Sequence, residues 1–184
     1  LALGAGATLC VQKRQDIMPG GGLLSALKKH SINAVVLPPS ALLATPHEDL
    51  PELRLVAVAG EACPGELVAR WGQGRRFLNL YGPTEATVWA SEEECGRGDV
   101  KPSIGRPILN TQLYILDRFM EPCPVGVAGE LYIGGEGVAR CYLNRPELAA
   151  ERFIPDSFRK QHGRRLYKTG DRCRWLADGK IDFL

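Results

Sequence analysis

The sequence NLYGPTEATVW, residues 79–89, places a hydroxyl beside a carboxylate at the end of an apolar run. Thr84 and Glu85 supply hard oxygens, the ligand type that Mg²⁺ prefers, and Mg²⁺ often accompanies nucleotide phosphates. Tyr81, at the end of the run, has a ring that can stack on a planar ligand. The alternative is structural: Thr84 caps a helix that follows, and Glu85 interacts with the helix dipole. These residues alone leave both interpretations open.

Residues that could meet a ligand also lie at one further predicted strand end and, after a Thr-Gly turn, at one predicted strand start. Ala59 and Gly60 have almost no side chain, which permits close approach of a ligand or of another backbone. The same residues also fit a tight turn in which Glu61 precedes a helix N-terminus. Asp171, in YKTGD, can accept hydrogen bonds from two vicinal hydroxyls, as acidic residues do for ribose. The alternative for Asp171 is a turn that starts a hairpin.

Other residue types that often carry chemistry form no recognisable motif. The runs PGGG and GGEG do not continue as Gly-Lys-Ser/Thr and do not match a dinucleotide-binding pattern, so we interpret both as turns. His30, His47 and His162 are isolated from any nucleophile motif, and we assign them no catalytic role. The 6 cysteines lack metal-binding spacing, and we expect free thiols in a reducing, cytoplasmic location.

The composition is that of a soluble globular protein, with 45% hydrophobic and 24% charged residues. A formal net charge of +2 and scattered basic pairs argue against nucleic acid as a partner. The apolar start LALGAGATLCV is too short to span a bilayer and lacks the basic residues of a signal peptide, so no membrane association is expected. Because both ends lie inside predicted elements, we expect an internal fragment of a longer protein.

The first half of the chain alternates predicted helices and strands. Leucines at helical spacing predict a helix over residues 21–30. Ser40 is expected to cap a short helix that runs through Ala44, and PGELVARWG is bounded by Pro and Gly as helices often are. Three strands are predicted, with the first of them buried: NAVVLP, LRLVAVAG and RRFLNLYG. This alternation indicates an α/β fold with a mostly parallel sheet and helices packed on it.

The second half has the period-two alternation of antiparallel strands. TQLYILD and GELYIGG each alternate apolar and polar residues, and RCRWLADGKIDFL is typical of a hairpin with Asp178-Gly179 as its turn. One helix is predicted in NRPELAAERF, with Asn144 as its cap and Glu147 completing a capping box. We therefore expect an antiparallel, β-rich and barrel-like subdomain.

The order of these motifs carries a family resemblance that covers essentially all 184 residues. VVLPPS and AVAGEA are followed by NLYGPTEATVW, SIGRPILNTQLYILD, GELYIGGEGVARCYLNRPELAAERF and LYKTGDRCRWLADGKIDFL. The chain resembles the adenylation domain of nonribosomal peptide synthetases, within the adenylate-forming (AMP-binding) enzyme superfamily. The resemblance implies that residues 1–102 are the α/β part of the large N-terminal domain of such an enzyme, and that residues 103–184 are a β-rich subdomain of the same domain.

The resemblance also implies a ligase activity in secondary-metabolite biosynthesis, with ATP and Mg²⁺ as cofactors. An amino-acid substrate would be activated as its adenylate and then loaded onto the phosphopantetheine thiol of a carrier-protein domain. The implied partners are this carrier-protein domain and the other synthetase modules. The alternative within the superfamily is an acyl- or aryl-CoA ligase; a nonenzymatic nucleotide-binding relic is a further one. The family's phosphate loop, its ammonium-binding Asp and its C-terminal Lys are missing, so we expect the isolated 184 residues to be inactive.

Nine residues are implied to bind ATP: Gly60, Glu61, Asn79, Tyr81, Gly82, Thr84, Glu85, Asp171 and Phe183. Thr84 and Glu85 match the catalytic positions at the phosphates, and Glu85 also matches the Mg²⁺ ligand. Asn79 is implied to hydrogen-bond the adenine and Tyr81 to stack on it. Asp171 matches the residue that binds the ribose hydroxyls.

A pocket for the amino-acid side chain is implied by six apolar residues: Val36, Ala57, Ala59, Leu80, Val88 and Trp89. None of them could neutralise a buried charge, so we expect a small or medium, uncharged substrate side chain. Cys141 occupies a position where the family usually has Gly. If that position requires positive φ, Cys141 is strained.

Overall fold

The computed structural model describes residues 2–96, 98–159 and 163–184, so His162 lies outside the described residues. The chain divides into two compact units. The first unit comprises Leu1–Leu78 and Cys95–Lys101, and the second comprises Asn79–Glu94 and Pro102–Leu184. The assignment of residues 1–102 and 103–184 to two parts of one larger domain stays a prediction, because it concerns a longer protein.

The first unit is an α/β arrangement. Its elements are two 3₁₀ turns at Leu3–Ala5 and Arg14–Ile17, helices α1 (Gly21–Lys29), α2 (Pro39–Leu43) and α3 (Gly65–Trp71), and strands β1 (Ala34–Leu37), β2 (Leu55–Ala59) and the start of β3 (Arg76–Tyr81). The strand order here is β1-β2-β3. β1 and β2 are parallel, with Ala34 opposite Leu55 and Leu37 opposite Val58.

One hydrophobic core holds the first unit together. The predicted helical face is confirmed, since Leu23, Leu24 and Leu27 of α1 are all buried. They belong to a cluster with residues of the strands and of α3, including Val56, Val58, Leu67, Trp71 and Phe77. Each such side chain contributes about 1.5–3 kcal/mol when it is fully buried. The leucine spacing therefore determined which face of α1 meets the sheet.

Two details of the predicted first half are wrong. β1 is a strand but not a buried one: its residues alternate between exposed and half-buried, and Val36 is 52% exposed. The helix α2 begins at Pro39, so Ser40 lies inside its first turn and does not cap it. Pro at the first helical position is favourable because that N–H needs no partner. Pro38 is the N-cap residue and makes no side-chain cap hydrogen bond.

The second unit is mainly antiparallel. Its elements are the end of β3, a 3₁₀ turn at Thr84–Ala86, strands β4 (Ser91–Glu94), β5 (Arg106–Pro107), β6 (Thr111–Leu116) and β7 (Gly129–Gly135), helix α4 (Pro146–Arg152), and strands β8 (Phe153–Pro155), β9 (Arg165–Trp175) and β10 (Ile181–Phe183). A sheet with the order β10-β9-β7-β6 also carries β8 beside β9, and all its pairs are antiparallel. β4 and β5 also pair antiparallel.

The predicted hairpin between β9 and β10 is confirmed. Gly179 has φ 79° and its N–H donates to the Leu176 carbonyl at 3.0 Å, so the chain turns at Asp178-Gly179 with the glycine in the left-handed position. The predicted cap of α4 is wrong, because the N-cap residue is Arg145 and Pro146 begins the helix. Asn144 instead takes a left-handed conformation with φ 56°, which Asn tolerates better than most residues. The capping box with Glu147 is therefore not formed.

The predicted fold class is confirmed, with alternating strands and helices first and an antiparallel sheet after them. All 6 cysteines are free, as expected. Among the residues that the structure describes, no helix has the length and apolar character needed to cross a bilayer.

Candidate functional site

The turn after β3 is set by a glycine. A Cβ on Gly82 would lie 2.2 Å from the Cα of Trp89, so only Gly lets the two backbone segments approach this closely. The Ala90 N–H donates to the Tyr81 carbonyl at 2.7 Å and closes the loop. The loop of residues 82–89 therefore leaves and returns at one point.

Two residues of this loop have positive φ although they are not glycines. Thr84 does not cap a helix: it is the first residue of the 3₁₀ turn, and Pro83 is the N-cap residue. Thr87 and Val88 then follow with φ 57° and 76°. Two consecutive non-glycine residues in the left-handed region of backbone conformation are strained, and such strain persists only where surrounding contacts enforce it. The capping interpretation of Thr84 is therefore wrong.

The Glu85 carboxylate lies among phenols. The Tyr142 hydroxyl donates to its Oε1 at 2.5 Å, and the Tyr167 hydroxyl oxygen is 3.4 Å from that of Tyr142. Burial raises the pKa of Glu85, but hydrogen bonds from Tyr142, its own backbone and Tyr167, with the charge of Arg152, outweigh burial and set the pKa below its usual value. Burial together with hydrogen bonding raises the pKa of Tyr167. Glu85 is therefore an ionised carboxylate held by neutral donors at neutral pH.

A second group of predicted residues meets at the end of β3. The Tyr81 hydroxyl donates to Oδ2 of Asp171 on β9. The Asp171 N–H in turn donates to the Thr169 hydroxyl at 2.9 Å. Phe183 lies beside them, with its ring centroid 6.1 Å from that of Tyr81. Asp171 lies inside β9 and the hairpin turns at Asp178, so the interpretation of Asp171 as the start of the hairpin is wrong.

Asn79 is part of a buried polar network. Its side chain is 4% exposed, and its amide nitrogen donates to the Ser103 carbonyl at 2.8 Å. The Ser103 hydroxyl donates to Glu93 Oε2 at 3.2 Å, and the Lys180 ammonium lies 2.8 Å from Glu93 Oε1. One N–H of the Asn79 amide is therefore committed internally.

The apolar candidates of the second unit differ in exposure. Leu80 is 5% exposed, whereas Val88 is 59% exposed and Trp89 is half-buried. Since side chains alternate along a strand, Leu80 points to the face of β3 opposite to Asn79 and Tyr81. This arrangement is compatible with separate nucleotide and amino-acid surfaces on the two faces of the strand.

In the first unit, the small residues of β1 and β2 share one face. Val36 is the register partner of Ala57, and Ala59 follows two residues later on the same face of β2. Val56 and Val58 point the other way, into the core. The face with Ala57 and Ala59 thus carries short side chains, as a pocket wall would.

Gly60 and Glu61 lie beyond the end of β2. Gly60 has φ 85° and open space where a Cβ would stand. Oxygens of Glu61 accept from the Ser40 N–H at 2.9 Å and from the Ser40 hydroxyl at 2.8 Å. Glu61 therefore interacts with a helix N-terminus, as expected, but the helix is α2, which precedes it in the chain.

Several partners of the predicted residues went unrecognised in the sequence. They are Tyr142, Tyr167 and Arg152 around Glu85, Ser103, Glu93 and Lys180 around Asn79, and Ser40 beside Glu61. Tyr142 and Tyr167 do stand inside the quoted family motifs, which was the available signal. Cys141 is exposed and does not have positive φ, so the strain considered for it is absent.

The fit of Mg²⁺ depends on Glu85. Among residues 2–96, 98–159 and 163–184, no group of three or more His, Cys, Asp or Glu side chains could hold a metal by itself. Mg²⁺ is often bound by one or two carboxylates together with substrate phosphates and water. A single ionised carboxylate with an exposed hydroxyl beside it at Thr84 fits that mode.

The fold and these side chains agree with a family comparison. Residues 1–143 match the family described as AMP-binding enzyme. The match covers more than half of the chain, and the chain therefore belongs to the AMP-binding enzyme family.

Relatives and solved structures support the same assignment. The chain is 51% identical over its full length to a component of the linear gramicidin synthase of Brevibacillus parabrevis, and 46% identical to bacitracin synthase 3 of Bacillus licheniformis. It spans 2% and 3% of the length of these two relatives. It is also similar to a crystal structure of AB3403, a four-domain nonribosomal peptide synthetase bound to AMP and glycine, with TM-score 0.86 and 34% identity over 97% of this chain and 14% of that one.

Proposed function

We propose that the protein containing these residues activates an amino acid in nonribosomal peptide synthesis. A carboxylate oxygen of the amino acid attacks the α-phosphorus of ATP, the bond from that phosphorus to the bridging oxygen breaks, and pyrophosphate leaves. The phosphopantetheine thiol of a carrier protein then attacks the acyl carbon, and AMP leaves. The proposal is carried by the joining of Tyr81, Asp171 and Phe183 at one strand end of an AMP-binding fold.

The nucleoside contacts follow from hydrogen-bonding capacity. A carboxylate has about four acceptor sites, so Asp171 can take the Tyr81 proton and still accept from both ribose hydroxyls. The rings of Tyr81 and Phe183 offer apolar surface to a base. One N–H of the Asn79 amide holds the Ser103 carbonyl, and Asn79 would accept from the adenine amine through Oδ1.

The phosphate contacts use Thr84 and Glu85. The exposed Thr84 hydroxyl can donate to a phosphate oxygen, and Gly82 fixes the turn that carries it. The ionised Glu85 would hold Mg²⁺. Bound there, the ion supplies charge neutralisation for the phosphates and the leaving pyrophosphate. The barrier to this reaction is mainly one of positioning and charge, which is what these residues provide.

In the first unit, Gly60 and Glu61 are proposed to approach the nucleotide. Gly60 carries no side chain, and Glu61 is oriented by Ser40. The apolar pocket candidates contain no charge, which supports a small or medium, uncharged amino-acid side chain. The partners would be a carrier-protein domain and the other modules of a synthetase.

ATP–pyrophosphate exchange with a panel of acids tests the proposal. We expect the full adenylation domain to show exchange that depends on one or a few uncharged amino acids. Glu85→Gln and Asp171→Asn should each lower that exchange about 100-fold or more, since single charge-stabilising groups contribute about that much. Glu147→Gln, which alters an exposed carboxylate on α4, is the matched control and should leave the rate unchanged.

Two results would contradict this function. Exchange with aryl or fatty acids but with no amino acid would assign the protein to the CoA-ligase branch. ATP binding without exchange for any acid would indicate a nucleotide-binding protein that is no ligase. The 184 residues alone are expected to give no exchange, since the residues that the family uses on either side are not among them.

A further inference from the structure

The turn that carries Glu85 is held by a segment that lies far from it in the sequence, residues 137–142, which we name the brace. The Ala139 N–H donates to the Glu85 carbonyl at 2.8 Å. Two residues on, the Thr87 hydroxyl donates to the Gly137 carbonyl at 2.7 Å. A Cβ on Gly137 would lie 3.0 Å from the Ala86 carbonyl oxygen. A backbone hydrogen bond and one from the Thr87 hydroxyl thus hold the chain on both sides of the Glu85 side chain.

The brace also fixes the Glu85 side chain. The Tyr142 hydroxyl has one proton, which it donates to Glu85 Oε1. The Tyr167 hydroxyl oxygen lies 3.4 Å from that of Tyr142. The ring of Phe153 contacts both phenol rings, with its centroid 5.2 Å from that of Tyr142 and 5.3 Å from that of Tyr167. Packed rings leave the Tyr142 hydroxyl little freedom to move away.

A cation on β9 anchors the brace. Arg165 donates to the carbonyls of Arg140 and, at 3.3 Å, of Ala139. Its guanidinium also lies 5.7 Å from the Phe153 ring centroid. The brace is therefore tied to the antiparallel sheet, and the enforced backbone at Thr87 and Val88 is explained by contacts from outside the turn.

We propose that Tyr142 is a positioning residue for cation binding by Glu85. Its hydroxyl holds one carboxylate oxygen, which orients the other toward a divalent cation. Ordering a free Glu side chain costs conformational entropy, and a carboxylate that is already ordered avoids much of that cost when the cation binds. The inference rests on the proposed function, because it assumes that Glu85 contacts the metal.

Mn²⁺ binding tests this role without relying on turnover. Electron paramagnetic resonance of the full adenylation domain, with a non-hydrolysable ATP analogue present, gives the Mn²⁺ dissociation constant. We expect Tyr142→Phe to weaken Mn²⁺ binding about tenfold, because removing groups that hold metal ligands typically changes affinity about 10–100-fold. Binding of the analogue without metal should stay unchanged. Tyr132→Phe is the matched control, since Tyr132 donates to a different carboxylate, Glu130, at 3.2 Å.

Glu85→Gln distinguishes the metal contact of Glu85 from the positioning role of Tyr142. If Glu85→Gln and Tyr142→Phe both weaken Mn²⁺ binding, and the double variant is no weaker than Glu85→Gln, the positioning role is supported. If Glu85→Gln weakens binding and Tyr142→Phe does not, the role of Tyr142 is wrong while the metal contact stands. Unchanged Mn²⁺ affinity in Glu85→Gln overturns the metal contact and the inference together. Equal loss of Mn²⁺ and metal-free analogue binding in Tyr142→Phe would show general damage and also overturn the inference.

Discussion

The Tyr81 hydroxyl donates a hydrogen bond to Oδ2 of Asp171, a residue 90 positions further along the chain. The bond joins the end of β3 to β9. Burial and the Asp171 carboxylate raise the pKa of Tyr81, so its phenol keeps the donated proton at neutral pH. The residue proposed for the adenine therefore orients the residue proposed for the ribose. The two functions should not be separable by mutation.

The first prediction is that Tyr81→Phe weakens ATP binding although it keeps the aromatic ring. Asp171 would lose its donor, and a hydrogen bond to a charged group contributes about 1.5–3 kcal/mol at most in such contexts. Since the ring still packs on Phe183, we expect a loss of about three- to tenfold in affinity. Isothermal titration calorimetry of the full domain with ATP measures it.

A double-mutant cycle is the control for that prediction. In an Asp171→Ala background, Tyr81→Phe should have little further effect, because the partner is already gone. Additive losses would show that Tyr81 and Asp171 act independently, contrary to the linkage drawn from their contact.

The second prediction concerns the close approach at Gly82. Gly82→Ala would place a methyl group 2.2 Å from the Trp89 Cα, and backbone atoms cannot yield as a flexible side chain can. We expect a loss of about 1–3 kcal/mol in the free energy of unfolding, or more. Urea unfolding of the full domain, followed by tryptophan fluorescence, measures this loss.

Gly21→Ala is the matched control for Gly82→Ala. Gly21 begins α1, and a Cβ there would meet no atom within 4 Å. Ala should stabilise that helix by about 0.5–1 kcal/mol. If both alanine variants changed stability equally, the close approach at Gly82 would not be the reason for a glycine there.

Elements defined by local patterns could be predicted from the sequence. The leucines of α1 and the Asp178-Gly179 turn act within a few residues, and both are confirmed. Residue type alone does not identify a helix cap. Ser40 and Asn144 have capping side chains, but Pro39 and Pro146 fix the first turn, and each helix starts at its proline.

The surroundings of the candidate site were less predictable. The order of the motifs predicts Glu85 and Asn79 as site residues. Tyr142 and Lys180 also lie inside motifs, but no neighbouring residue in the sequence indicates that they belong to the polar contacts around Glu85 and Asn79. Such pairs are far apart in the chain and are joined only when the sheet forms. Burial of Val36 could not be judged either, because β1 and a buried strand have the same apolar composition.

The last prediction is that Lys180→Met destabilises the second unit through Glu93. The Lys180 ammonium lies 2.8 Å from a Glu93 side chain that is 9% exposed, so its removal takes a neutralising charge from a buried carboxylate. Breaking fully buried pairs costs about 3–5 kcal/mol; because Lys180 is itself 34% exposed, we expect about 1–3 kcal/mol in urea unfolding. Lys168→Met is the control, since its pair with Glu130, at 3.9 Å and more exposed, should contribute less than about 1 kcal/mol.

Adding Glu93→Gln to Lys180→Met should recover part of that loss. A neutral amide is less costly to bury than a carboxylate that has lost the Lys180 ammonium, and its oxygen can still accept from the Ser103 hydroxyl. Because Ser103 also holds Asn79, the single variant Lys180→Met should weaken ATP binding by a few-fold. In the double variant, ATP affinity and the free energy of unfolding should recover together. If stability recovers but ATP affinity does not, the Lys180–Glu93 ion pair does not affect ATP binding through Asn79. Equal effects of Lys180→Met and Lys168→Met would show that burial of Glu93 carries no special penalty.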